Sequence, residues 1–188
     1  MIVEYMKLML RKKGYEWTDA PHFSSDVSTS DSRILSALVS LSNNLKMTFG
    51  RNIQEMTERA QARNISDYTA FKTIAEEVMS NGIQWSHVVT LLVFSSELAF
   101  LEGVRDHDVD FISRITEWVT RYFCQSDSLK SWIEHQSGGW DGISHYARLA
   151  ESKISSSSSV VSKMTIFAGL SAAAAGLAYF ITKSTDLL

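Results

Sequence analysis

Cysteine and proline each occur once in the 188 residues, glycine only nine times, and neither sign of charge dominates. Each scarcity excludes something. The lone thiol, Cys124, has no intrachain partner for a disulfide, so the chain suits a reducing compartment rather than the disulfide-stapled secreted class. Eighteen basic residues against 21 acidic ones leave a formal charge of −3, and no Lys/Arg stripe interleaves with aromatics. Long-range attraction to phosphate is therefore missing, and nucleic-acid binding is not expected. No apolar N-terminal stretch ends in a small-residue cleavage site, so no secretory leader is expected. There is no glycine-rich phosphate loop and no HExxH-type metal motif, and the five histidines are scattered. The expectation is no enzyme, no cofactor, no metal and no small-molecule substrate. Alternation of strand period is absent as well.

What the chain has is apolar residues at helical spacing. They make up 45% of the sequence, enough at this length for one domain with a real core. Over 2–13, Ile2, Val3, Tyr5, Met6, Met9 and Leu10 recur at three- and four-residue steps, which predicts an amphipathic helix closed by Gly14. A loop is expected at 18–30, where Pro21 sits among Ser and Asp. Ser30 or Asp31 then caps a helix carrying Ile34, Leu35, Leu38, Leu41, Leu45 and Phe49 and stopping at Gly50. A polar helix or irregular stretch covers 52–63. Ser66 and Asp67 cap a helix with Phe71, Ile74, Ala75 and Val78, broken by Asn81-Gly82.

The segment 85–101, with Val88, Val89, Leu91, Leu92, Val93 and Phe94, is apolar on nearly every side and interrupted mainly by Glu97. A helix apolar all round belongs at the centre of the domain. His107-Asp108 opens a striped helix through Phe111, Ile115, Trp118 and Tyr122. Ser126-Asp127 caps a short one to His135, and Gly138-Gly139 turns the chain into a last helix with Trp140, Ile143, Tyr146 and Leu149. The prediction is all-α: seven to eight helices around one hydrophobic helix, forming a domain over 1–151. A Ser-rich linker at 152–163 follows. Residues 164–182 are uncharged and bracketed by Lys163 and Lys183, near the roughly 20 residues that span hydrocarbon, and read as a C-terminal transmembrane tail anchor.

Four segments carry a family resemblance. Ile2-Val3-Glu4-Tyr5 with Gly14-Tyr15-Glu16-Trp17 closely resembles the N-terminal homology helix of survival-promoting members of the Bcl-2 family of apoptosis regulators. Asn81 through Trp85-Ser86-His87-Val88 looks like the first homology segment, whose usual core is Asn-Trp-Gly-Arg. Ser86 here replaces the glycine that lets a ligand helix approach, and His87 the arginine that pairs with the ligand's aspartate. Gly138-Gly139-Trp140-Asp141 resembles the second segment; its glycines permit a tight turn and Asp141 suits a helix's first turn. The third, around Leu38 to Leu45, is degraded, with Asn43 in place of aspartate.

The resemblance implies a Bcl-2-like bundle whose groove takes the amphipathic Bcl-2 homology-3 helices of pro-apoptotic relatives, restraining mitochondrial outer-membrane permeabilisation. Its implied lining is Leu45, Phe49, Val78, Met79, Trp85, Ser86, His87, Val88 and Leu92, with Phe94. A histidine loses arginine's bidentate, permanently charged fork. The membrane expected is the outer mitochondrial one, facing the cytosol, with the endoplasmic reticulum equally compatible with the basic flanks. The alternative is a pro-apoptotic, pore-forming effector of the same fold.

Overall fold

The computed structural model describes residues 1–21 and 28–156. The anchor expected at 164–182, most of the linker expected at 152–163 and the middle of the 18–30 loop lie outside the described residues. Within them the chain is all-helical: α1 (Ile2–Arg11), α2 (Thr29–Ala62), α3 (Tyr68–Met79), α4 (Trp85–Leu98), α5 (Val109–Gln125), α6 (Asp127–Glu134) and α7 (Gly142–Ser156).

Helix α4 is the centre. Every residue from Trp85 to Ser96 is buried, because the other helices pack around it and its all-apolar surface demands that. Its line continues as a π-helical segment, Ala99–Arg105, a wider winding that periodicity does not announce. Helix α5 shows the striped pattern: Phe111, Ile112, Ile115, Trp118, Val119 and Phe123 face the core. Its start is held by the Asp108 carboxylate, which accepts from the Phe111 amide and from Arg114 at 2.6 Å. Asp67 and Ser126 cap α3 and α6 in the same way.

Helix α1 ends where Gly14 adopts φ +84°. That left-handed residue lets the Tyr15 amide reach back to the Leu10 carbonyl at 3.1 Å and its own amide to Arg11 at 2.9 Å, satisfying carbonyls the helix leaves open.

Three expectations need correction. Ser28, not Ser30 or Asp31, caps α2, its hydroxyl accepting from the Asp31 amide at 3.0 Å. The chain does not leave the helix at Gly50: it kinks at Phe49 (φ −129°, ψ 20°) and runs on to Ala62. The physical reason is that Ile53, Met56, Thr57 and Ala60 resume a buried stripe, while Arg51–Glu55 and Gln54–Glu58 contacts support the outer face. Finally α7 extends to Ser156, so its helix enters the first residues of the expected linker.

Candidate functional site

The first homology segment starts where Gly82 (φ +96°) turns the chain and Gln84 adopts extended backbone before α4. Trp85 then points among three aromatics of the second segment and its neighbours. Its ring lies 5.0 Å from Trp132 and 5.8 Å from Trp140, and Trp140 in turn lies 5.7 Å from Phe123. Such pairs add to the burial of large rings. The turn Gly138 (φ +81°) and Gly139 (φ +58°) swings Trp140 and α7 onto this cluster. Gly142 fits closely there: a Cβ would sit 3.2 Å from the Trp85 ring, so a neighbour would have to give slightly.

His87 does not present its ring to solvent. It is 1% exposed, and its Nδ1 lies 2.6 Å from the Gly82 carbonyl. A carbonyl only accepts, so Nδ1 carries a proton, and Nε2 is buried with no hydrogen-bond partner among the described residues. Ser86 is equally buried, and burial pushes the pKa of the Tyr146 phenol on α7 up to about 12, with Ser86 acting in the opposite direction.

The nine residues implied as the groove lining are all buried in the core. Leu45 and Phe49 from α2, Val78 and Met79 from α3, and Trp85, Val88 and Leu92 from α4 join one apolar cluster, with Ser86 and His87 buried beside them. None is more than 8% exposed, and Val88 is sealed at 0%. Phe94 is fully buried too. These side chains belong to the core, and neither of the two cavities described below is lined by Trp85 or Val88.

The N-terminal helix lies across α2 and α5. Ser42 donates to the Leu38 carbonyl at 2.7 Å, so the buried Tyr5 hydroxyl donates to Ser42 at 2.8 Å; burial raises the Tyr5 pKa. Val3, Tyr5 and Trp17 are buried, whereas Ile2 and Tyr15 pack partly exposed against the core. Asp141, just before α7, accepts from Ser30 of α2 at 3.0 Å, and Glu151 of α7 from Ser40 of α2 at 2.8 Å.

One cluster escaped the sequence reading. Glu97 takes Lys13 and Lys46 at 2.6 Å each, and Lys13 also sits 4.3 Å over the Phe100 ring. The signal was available: a single carboxylate in an otherwise apolar central helix requires cations from neighbouring elements. Beside this cluster lies a cavity of about 370 Å³ lined by Gly50, Ile53, Phe100 and Leu101. A larger one of about 870 Å³, lined by Val3, Phe123, Cys124, Ile133 and Trp140, opens between α1, α5 and α6. No group of three or more metal-ligating side chains occurs among the described residues.

Residues 38–140, more than half of the chain, match the family described as "Apoptosis regulator proteins, Bcl-2 family". Human Bcl-2-like protein 1 is 26% identical over 105 residues, covering 56% of this chain and 43% of that one. Apoptosis regulator Bcl-2 of Canis lupus familiaris is 26% identical over 95 residues, covering 50% and 39%. The chain thus spans about two fifths of the length of the curated relatives it matches. Among solved structures, Trichoplax adhaerens trBcl-2L2 bound to trBak BH3 is similar at TM-score 0.61 and 28% identity, covering 75% of this chain and 91% of that one. Chicken BOK, at TM-score 0.61 and 20% identity over 77% and 91%, shares the fold. With its first and second homology segments meeting where Trp85 packs on Trp140, this chain belongs to the Bcl-2 family of apoptosis regulators.

Proposed function

We propose that this chain is an anti-apoptotic regulator, not an enzyme, which captures the amphipathic death-ligand helices of pro-apoptotic relatives between α2, α3 and α4. By doing so it restrains permeabilisation of the mitochondrial outer membrane, to which residues 164–182 anchor it. The observation that carries the reading is the condition of α2. Its own apolar stripe, Leu38, Leu41 and Leu45, is at most 1% exposed, and Tyr5 bonds Ser42 within it. A helix so engaged, with Asn43 where a donor needs a carboxylate, is not offered to another protein's groove. The relative trBcl-2L2 supports a receiving role, since it is seen bound to a BH3 partner. Four anchors of Leu or Ile size, each contributing about 1.5–3 kcal/mol before entropic costs, suffice for useful affinity without a charge pair.

The alternative is the pore-forming reading. Trp85–Arg105 is long and apolar enough to cross a membrane, but 72% of its apolar window is buried, as in the core helix of a soluble domain, so it does not favour that reading. Two measurements on the full chain separate the readings. A panel of helical death-ligand peptides is expected to bind, and dye-loaded liposomes are expected to stay intact after an activating peptide is added. Dye release, or silence across the whole panel, contradicts the survival role.

A further inference from the structure

The Glu97 cluster holds more cation than its carboxylate consumes. Lys13 and Lys46 both sit 2.6 Å from Glu97, so two ammonium groups share one negative charge. Lys13 donates one N–H to Oε2, whereas Lys46 lies against Oε1 without the alignment of a hydrogen bond, and Oε1 has no hydrogen-bond partner. An ammonium carries three donors, so most of those on the two lysines are uncommitted within the chain. Glu58 and Arg105, the other charged groups lining the adjoining cavity, are opposite in sign and exposed. They also belong to its far end: Glu58 lies three turns along α2 from Lys46, about 18 Å away at 1.5 Å per residue, and Arg105 has Asp106 at 4.0 Å. The lysine end therefore keeps an excess positive charge.

That charge adjoins an apolar space. The cavity of about 370 Å³ runs between α2 and the π-helical segment, with Ile53, Phe100 and Leu101 in its walls. Lys13 lies 4.3 Å over the Phe100 ring, which joins the charged end to the apolar one. Gly50 keeps the space open. Lys46, Gly50, Ile53 and Thr57 follow one face of α2, and a Cβ at Gly50 would meet nothing within 4 Å. We propose that this cavity binds a medium-chain fatty acid, its carboxylate between Lys13 and Lys46 and its chain over Ile53, Phe100 and Leu101. Volume sets the length: at about 30 Å³ for each water-sized group, 370 Å³ holds on the order of a dozen heavy atoms, which suits octanoate. Glu97 holds the two ammonium groups in place beforehand, so less side-chain freedom is lost on binding. None of the nine residues implied as the groove lining borders this cavity, so the proposal stands apart from peptide binding.

The test titrates the full chain with octanoate, acetate and octylammonium and follows methyl groups by NMR. Octanoate is expected to shift Ile53 and Leu101 together and saturably. Acetate lacks the chain and octylammonium has the wrong charge, so each should bind at least about 10-fold more weakly. Gly50→Leu fills the cavity, and Lys46→Met removes one cation; each should weaken octanoate by about 5- to 20-fold. Gly50 is helical and not at positive φ, so a side chain there does not strain the backbone. Lys46 is one-third exposed and leaves Glu97 paired with Lys13, which makes its variant an independent check. Ile53 and Leu101 unmoved by octanoate overturn the site. Octylammonium bound as tightly as octanoate removes the lysines from it. Octanoate binding unchanged in Gly50→Leu overturns it too, placing the chain elsewhere, as in the cavity between α1, α5 and α6.

Discussion

His87 shows how a single position departs from its family pattern in more than charge. Its ring caps the Gly82 turn from inside, with Nδ1–H on the carbonyl and Nε2 buried. Restoring arginine there does not simply restore a carboxylate clamp. His87→Arg places a guanidinium, with five donors and no acceptor role, where the structure offers one carbonyl. Loss of roughly 1–3 kcal/mol of stability is expected from the stranded donors, read as a lower midpoint in urea unfolding. An unchanged midpoint means the arginine escapes to solvent and the turn at Gly82 does not depend on His87. The identity of this position was legible in the sequence, but its direction was not. Orientation depends on Gly82 being within reach five residues earlier, which the backbone path of the turn decides.

Among elements, the Glu97 cluster ties the turn after α1 to α2 and α4 at one point. Lys13, Lys46 and Glu97 keep 24%, 33% and 16% of their side chains exposed, so the coupling falls between the surface and buried limits. Glu97→Gln is expected to cost on the order of 1–3 kcal/mol, and the difference from wild type should shrink as salt is raised. If the Glu97→Gln variant is as stable as wild type at low salt, the cluster contributes nothing net. Element starts were legible wherever a short polar side chain precedes an apolar stripe, as at Asp67, Asp108 and Ser126. The Phe49 kink was half legible. Gly50 marked the disruption, but tertiary packing of Ile53, Met56 and Ala60 kept the chain helical beyond it. The π-helical segment left no trace in the pattern, because its winding answers to packing against α5 rather than to local preference.

For the whole molecule, two tyrosines link stability to alkaline pH. Burial raises Tyr5 and raises Tyr146 to about 12, against an ordinary value near 10 in an unfolded chain. Above about pH 10 the unfolded chain releases these protons while the folded one keeps them, so the folded state binds more protons and stability falls with rising pH. The contribution is fully present below about pH 10 and disappears as pH climbs through about 12. Tyr146→Phe should flatten part of that slope in unfolding measured between about pH 9 and 12; a slope identical to wild type removes Tyr146 from the account. At this scale the family and its helical architecture were legible. The packing of Trp140 and Gly142 against Trp85 was not, because it depends on the far end of the chain returning to the start of α4.

Binding among the buried side chains of α2, α3 and α4 is the central claim, and methyl NMR of the full chain reads it directly. On titration with a helical death-ligand peptide, the methyl groups of Leu45, Val78, Val88 and Leu92 are predicted to shift together and saturably, with Ala147 on α7 following. Those side chains are buried at 0–1% and Ala147 at 5%, so they sense a ligand only if the cleft parts. Shifts confined to the α1–α5–α6 cavity around Phe123 and Ile133, with the four cleft residues unmoved at saturation, would contradict the account.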